Sequence, residues 1–181
     1  MTTTYLFDLD GTIVDAKIYA TICPTVLQLI ETKTGLKGEV LEKKALQLGL
    51  HKKERWDSGD LCNGLGLLEE YYSILEKEVE KSSGLRPEIK DLFQQGKKIG
   101  IVSNSMRRTI ELYVKRFKLH VDFIFSSEDA GCRKDKVEFW KRLIAKEKSI
   151  PKECLVIGDD PMEDGEVPRK LEFRTRLVEN L

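Results

Sequence analysis

The sequence predicts an α/β fold with a five-stranded parallel sheet and an all-helical segment inserted after the first strand. Three observations support this. Residues 5–7 form an apolar run typical of a buried strand, and residues 16–84 show only helical periodicity. Residues 85–181 alternate helical patterns with three more short apolar runs and a last predicted strand at 173–178. Right-handed helical crossovers cover both faces of such a sheet, so we expect a three-layer, Rossmann-like core made of 1–15 and 85–181.

The first predicted strand ends in acidic residues at a turn. Asp8 and Asp10 follow its apolar residues, and Gly11 supplies a position without Cβ restrictions where the chain must turn. Ligands of open α/β sheets bind in the crevice outside the carboxyl ends of the strands, so we expect the chemistry here. If the strand ends at Asp8, both carboxylates can reach one site, one as a nucleophile and the other as a proton donor.

The inserted segment at 16–84 is predicted to be all-helical. Apolar residues at helical spacing predict helices that run to about Lys33, over about 40–48 and over about 68–79. Pro24 lacks the amide hydrogen that a helix interior needs, so we expect it near the start of the first helix or at a kink. The basic stretch at 51–56 is a candidate contact for an anionic substrate, although a solvated helix face is the favoured interpretation.

Residues 85–181 are predicted to supply the rest of the sheet. Short apolar runs predict strands at about 99–102, 123–125 and 154–157, and a last strand is predicted at 173–178. The intervening patterns predict helices at about 89–95, 110–117, 137–144 and 162–171. Pro168 falls inside the last helix, where a proline disfavours the helical conformation.

The composition excludes several classes of function. The 31 basic and 31 acidic residues cancel and no long basic block stands out, so we expect no nucleic-acid partner. No signal sequence opens the chain, and no apolar stretch approaches the roughly 20 residues that span a bilayer. We therefore expect no membrane partner and a cytoplasmic location. The 4 cysteines are dispersed without a Cys-x-x-Cys pair, which favours buried thiols over zinc ligands or disulfides.

Carboxylates follow the first and fourth predicted strands. Asp8 and Asp10 lie at the end of the first, and Asp159, Asp160 and Asp164 follow the fourth. Carboxylates that converge in one crevice repel one another unless a cation neutralises them, and Mg²⁺ prefers such oxygen ligands. The pattern therefore predicts a Mg²⁺ site at the carboxyl edge of the sheet.

The second predicted strand and a basic loop add groups that suit a phosphate. Ser103 offers a hydroxyl at the strand end, the amide of Asn104 lies beside it, and Lys134 can supply a fixed positive charge. A cation, a hydroxyl, a backbone amide and an ammonium group together favour binding of a phosphoryl group.

Four segments resemble, in order, the motifs of the haloacid dehalogenase (HAD) superfamily of phosphatases. The matching segments are Asp8–Asp15, Ile101–Asn104, Lys134 and Gly158–Asp160 with Asp164. The resemblance covers nearly the whole chain. It implies a HAD-like catalytic core, and it places residues 16–84 where members of the phosphoglycolate phosphatase type have a mobile helical cap.

The resemblance also implies roles for individual residues. Asp8 would attack phosphorus and form an aspartyl phosphate, while Asp10 would protonate the leaving alcohol and later deprotonate water. Mg²⁺ would be held by Asp8, the carbonyl of Asp10 and Asp159. Ser103 and Lys134 would bind the phosphoryl oxygens.

Asn104 would lie beside these two in the substrate site. Asp164 would not bind the metal itself but would orient Lys134 or a metal-bound water. The assignment of the motif lysine stays open, because Asp135 replaces the proline that commonly follows it, and the assignment of the last acid stays open as well. Lys136 is an alternative to Lys134, and Glu163 is an alternative to Asp164.

The implied function is a Mg²⁺-dependent phosphomonoester hydrolase that acts on a small phosphorylated metabolite. Asp10 favours phosphoryl transfer over dehalogenation, because the dehalogenase members lack an acid at that position. A phosphomutase of the same fold is one alternative. A catalytically silent member that binds a protein or a phospho-ligand is another, and the retained acids, serine and lysine argue against it.

Overall fold

The computed structural model of the chain describes residues 3–50, 57–82, 85, 87–95 and 98–179. The basic stretch 51–56, a candidate substrate contact, lies outside them. The chain divides into two compact units, 1–15 with 83–181 and 16–82. None of the helices within the described ranges combines the length and the apolarity that a bilayer crossing requires.

The elements follow one another as the alternating pattern predicts. The first unit begins with β1 (Thr4–Phe7), and the second contains α1 (Ile18–Thr34), α2 (Gly38–Gln47), α3 (Ser58–Gly64) and α4 (Leu68–Lys81). The first unit then continues with α5 (Pro87–Gln95), β2 (Lys98–Ser103), α6 (Arg107–Phe117), β3 (Phe123–Ser126), α7 (Ser127–Ala130), α8 (Val137–Glu147), a 3₁₀ turn (Pro151–Glu153), β4 (Cys154–Gly158), a π-helix (Pro161–Glu166), α9 (Val167–Arg169) and β5 (Arg174–Leu177).

The five strands form one parallel sheet in the order β3-β2-β1-β4-β5. This confirms the predicted α/β fold with a five-stranded parallel sheet. β1 is the central strand, with β2 on one side and β4 on the other. The residues that follow β1, β2 and β4 therefore meet at the middle of the carboxyl edge, where open α/β sheets bind ligands.

The two faces of the sheet are covered by different helices. Successive strand residues point to opposite faces. Leu6 belongs to a buried apolar cluster with Phe139 and Trp140 of α8. Its neighbour Phe7 stacks on Phe93 of α5, with ring centroids 4.3 Å apart. Helices therefore pack on both faces, which is the three-layer arrangement.

The helical unit differs from the prediction at Pro24 and at α3. Pro24 lies inside α1, which begins at Ile18, so the first of its two expected places, near the helix start, is wrong, and the kink stays a prediction. Its side chain is exposed, while the helix buries an apolar stripe, and that burial offsets the roughly 3 kcal/mol cost of an interior proline. The prediction missed α3, whose N-cap Asp57 accepts hydrogen bonds from the N–H groups of Gly59 and Asp60.

The segment after β4 is two short helices rather than one. A π-helix at Pro161–Glu166 continues into α9, and Pro168 stands in the first turn of α9. Pro168 has no N–H to donate, and α9 ends one residue later, at Arg169.

Candidate active site

The turn after β1 holds Asp8 and Asp10 at the centre of the carboxyl edge. Asp8 still belongs to the sheet, because its N–H donates to the carbonyl of Ile157 in β4 at 2.8 Å. The carbonyl of Leu9 then accepts from three successive N–H groups, those of Thr12, Ile13 and Val14. Gly11 closes this turn at φ +77°, a conformation that glycine adopts without a Cβ penalty.

Lys134 is buried against two carboxylates of this edge. Its Nζ lies 2.6 Å from Asp8 Oδ1 and 2.5 Å from Asp164 Oδ1, and only 1% of the lysine side chain is exposed. Lys136, the alternative, is 66% exposed and pairs with Asp135. The geometry therefore brings Lys134, and not Lys136, to Asp8.

Both backbone groups of Lys134 are also held by side chains. Its N–H donates to Asn104 Oδ1, and its carbonyl accepts from the indole N–H of Trp140, each at 2.9 Å. Trp140 lies in the helix predicted at about 137–144, and no local sequence pattern gives a signal for this contact.

Asp164 and Glu163 take different positions. Asp164 faces Lys134, whereas Glu163 is buried and its Oε2 accepts from Asn104 Nδ2 at 2.6 Å. A Cβ at Gly158 would lie 2.1 Å from Cγ of Asp164, so only a glycine leaves room for this carboxylate. Of the two acids, Asp164 is thus the one that reaches the lysine.

Asp8, Asp159 and Asp164 form an acidic group that suits a hard cation. One carboxylate oxygen from each lies within 4.8 Å of the others. A Cβ at Gly11 would lie 2.3 Å from Asp159 Oδ2, so the glycine makes room for this group as well. Among these residues and Lys134, three carboxylates face a single ammonium, and the excess negative charge matches a divalent cation with oxygen preference.

The charges shift one another's titration. Burial raises the pKa of Asp8 well above its usual value; Lys134 opposes this effect, and Asp164 and Asp10 add to it. Burial, reinforced by Asp164, raises the pKa of Asp159 to about 6. Burial disfavours the charged form of Lys134, but Asp164 and Asp8 outweigh it and raise the pKa of the lysine. The negative charge of the three carboxylates is therefore buried at this edge, and the ammonium of Lys134 compensates only part of it.

The end of β2 supplies Ser103, Asn104 and Ser105. Ser103 is buried, and its Oγ accepts from the N–H of Ser105 at 3.0 Å. The side-chain amide of Asn104 forms two hydrogen bonds: its Nδ2 donates to Glu163, and its Oδ1 accepts from the backbone N–H of Lys134. Ser105 donates its hydroxyl to Asp10 Oδ2 at 2.6 Å. Ser105 was not among the predicted site residues, although it directly follows two of them.

Comparison with known proteins identifies the family. The sequence profile of the haloacid dehalogenase-like hydrolases matches residues 2–169. The chain belongs to this family. The resemblance of its four segments to the HAD motifs is thereby confirmed, and the protein is a HAD-like hydrolase.

Individual HAD-like proteins are similar along most of the chain. A protein of Caldanaerobacter subterraneus subsp. tengcongensis named "Putative pyrophosphatase PpaX" is 27% identical over 171 residues, which are 88% of this chain and 74% of that protein. The HAD phosphatase from Thermococcus onnurineus has a TM-score of 0.74 at 21% identity, covering 99% of this chain and 86% of its own. The magnesium-bound YfnB from Bacillus subtilis has a TM-score of 0.62 at 21% identity, covering 98% and 86%. At these identities the two structures establish the shared fold.

Proposed function

We propose that this HAD-like hydrolase is a Mg²⁺-dependent phosphomonoester hydrolase that acts on a small phosphorylated metabolite through an aspartyl phosphate on Asp8. One observation carries the proposal. Asp8 directly follows the central strand, its carboxylate is 2.6 Å from the ammonium of the buried Lys134, and Asp159 and Asp164 converge on the same point. A nucleophile, a fixed cation and a set of oxygen ligands meet there, as phosphoryl transfer requires.

Asp8, Asp159 and the carbonyl of Asp10 would hold Mg²⁺, and the acidic group described above fits a cation of this charge and hardness. When bound, Mg²⁺ neutralises charge on the phosphoryl oxygens. Lys134 adds a second positive charge, and Asp164 fixes the position of its ammonium. Ser103 would donate its hydroxyl to a phosphoryl oxygen at the end of β2.

Asp8 would attack phosphorus as the bond to the ester oxygen breaks, and Asp10 would give its proton to the departing alcohol. Asp10 would then take a proton from water. That water attacks phosphorus, the bond to Asp8 breaks, and phosphate leaves with Asp8 restored. Such acid-base assistance typically contributes about 10² to 10⁴ in rate.

The similar proteins support this reading. The Thermococcus onnurineus neighbour is described as a phosphatase, and the Bacillus subtilis neighbour is bound to magnesium. The relative named for pyrophosphatase activity suggests that inorganic pyrophosphate should be tested beside monoesters, since its leaving group is itself a phosphate.

A phosphate-release assay over a panel of metabolite monoesters, an aryl phosphate and pyrophosphate tests the proposal. We expect turnover with Mg²⁺, loss of turnover on chelation, and recovery when Mg²⁺ is restored. Asp8→Asn should abolish turnover and the covalent intermediate. Full turnover after chelation, or near-normal rates in Asp8→Asn, would contradict the mechanism. Interconversion of sugar phosphates without phosphate release would establish a mutase instead, and no turnover of any ester would favour a silent binding protein.

A further inference from the structure

Ser105 makes a short contact with the carboxylate to which we assign acid-base chemistry. Its hydroxyl donates to Asp10 Oδ2 at 2.6 Å, across 95 positions of sequence. Short hydrogen bonds to a carboxylate are stronger than neutral ones and fix the acceptor in direction as well as in distance. Asp10 belongs to a turn after β1, whereas Ser105 belongs to the loop after β2, so the contact ties two strand ends together.

The contact is not a by-product of helix capping. A serine just before a helix usually accepts from the first N–H groups of that helix. Here α6 has no side-chain cap at its N-cap residue, Met106, and the N–H of Arg107 donates to Glu128 Oε2 at 2.6 Å instead. The hydroxyl of Ser105 is therefore directed at Asp10 and not at the helix that follows it.

Ser105 is itself held in place. Its backbone N–H donates to Ser103 Oγ at 3.0 Å, and the residue is half-buried. Ser103 ends β2 in register with Ser126 of β3, so the loop starts from a fixed point of the sheet. A short, anchored side chain loses little entropy on forming its hydrogen bond, which suits it to orient a partner.

We propose that Ser105 is a positioning residue that orients the Asp10 carboxyl toward the leaving-group oxygen of the substrate. This inference rests on the proposed function, in which Asp10 transfers the proton. Proton donation matters most when the leaving group is a strong base, and it matters little when the leaving group departs readily as an anion. If Asp10 is misoriented, the loss of kcat/KM should therefore depend on the leaving group. A general weakening of the fold would lower kcat/KM equally for all leaving groups.

The experiment compares kcat/KM for wild type, Ser105→Ala and Ser105→Thr on p-nitrophenyl, phenyl and ethyl phosphate. Ser105→Ala should cost about 10-fold or more for ethyl phosphate and less than about 3-fold for p-nitrophenyl phosphate, within the range that proton transfer contributes. Ser105→Thr keeps the hydroxyl and should recover most of the loss. In an Asp10→Asn background, Ser105→Ala should have almost no further effect, because residues that act as a unit are not additive.

Asp8→Asn separates failure of this inference from failure of the proposed function. If Asp8→Asn stays active, the proposed function fails, and the inference falls with it. If Asp8→Asn is inactive but Ser105→Ala slows all three esters equally, or adds its full effect to Asp10→Asn, the positioning role is overturned while the proposed function stands. If Ser105→Ala does not fold, Ser105→Cys, which keeps the size and a weaker donor, is measured on the same esters and interpreted in the same way.

Discussion

At the residue scale, the site depends on Lys134, whose ammonium, backbone N–H and backbone carbonyl each have a side-chain partner. Asp8 and Asp164 contact its ammonium, while Asn104 and Trp140 bond its backbone. A buried charge is stabilising only while its partners are in place. Lys134 is thus a structural requirement of the site as well as a proposed ligand of the phosphoryl group.

Lys134→Met should abolish turnover and destabilise the chain. Methionine approximates the volume of lysine but leaves the Asp8 and Asp164 carboxylates facing each other without a counter-charge, a change that typically costs about 3 to 5 kcal/mol. The measurement is phosphate release together with urea unfolding in a chelated sample. Lys136→Met is the matched control; because Lys136 is 66% exposed, it should alter neither result. Equal losses in both variants would contradict the assignment of Lys134.

Gly158→Ala tests whether the close approach of Asp164 to residue 158 is required for activity. The added Cβ would lie 2.1 Å from Cγ of Asp164, so this carboxylate must leave its position beside Lys134. We expect strongly reduced turnover and a loss of stability of a few kcal/mol, as overpacking in a buried site produces. Gly165→Ala is the control, since its Cβ would come no closer than 3.7 Å to the atoms around it. A fully active Gly158→Ala would show that the position of Asp164 does not matter.

At the scale of elements, the strands could be predicted and the short helices could not. Buried parallel strands have continuous apolar runs, a signal contained in a few consecutive residues. The π-helix and α3 are short, and their bounds depend on capping by Asp160 and Asp57 rather than on a long periodic pattern. The proximity of the candidate residues at the strand ends was predictable, because the topology of a parallel sheet brings those ends together.

The contacts among those residues were not predictable. Asn104 was expected at the substrate, yet its side chain joins Glu163 to the backbone of Lys134. The choice between Lys134 and Lys136 depended on a contact with Asp8, 126 positions away in sequence. The choice between Glu163 and Asp164 depended on a contact of Glu163 with Asn104, 59 positions away. Both adjacent acids are buried, and sequence spacing alone contains no information on which of them contacts Lys134.

The acidic residue in the capping box of α7, Asp129, should make stability depend on pH. Burial alone would raise the pKa of Asp129, but hydrogen bonds from Lys146, Ser126 and Arg107 outweigh it and lower the pKa below its usual value. A carboxylate with a lowered folded pKa stabilises the fold above its unfolded pKa, near 3.9, and loses that contribution as pH falls through the folded value.

Asp129→Asn should therefore destabilise the protein by about 1 kcal/mol at pH 7, because the partners Arg107 and Lys146 are partly exposed. The gap between variant and wild type should shrink as pH falls below about 4. Urea unfolding from pH 7 down to pH 3 measures it. The exposed Glu138, which pairs with Arg142 within α8, gives a control in Glu138→Gln, whose effect should be small at every pH. A gap that stays constant across the range would contradict the role of the Asp129 charge.

At the scale of the whole molecule, the candidate site residues and the helical insertion belong to different compact units. Every proposed site residue lies in the unit made of 1–15 and 83–181, while 16–82 forms a compact helical unit with its own buried residues. The core does not need the insertion to complete its sheet, because all five strands are in the first unit. We propose, from the family resemblance, that the helical unit acts as a cap that selects among leaving groups.

Replacing residues 18–82 by a short Gly/Ser linker tests this proposal. The remaining chain keeps the whole sheet and the acidic group, so it should fold, bind Mg²⁺ and slowly cleave an aryl phosphate. Its rates should fall, because charge interactions weaken in bulk water when nothing excludes solvent from a site. The measurement is the spread of kcat/KM across the monoester panel for the full chain and the shortened one, with folding checked by circular dichroism and Mg²⁺ binding by calorimetry. Discrimination should collapse in the shortened chain. If that chain folds and keeps both the preference order and the rates, the helical unit is no selector, and specificity must reside in the loops of the sheet.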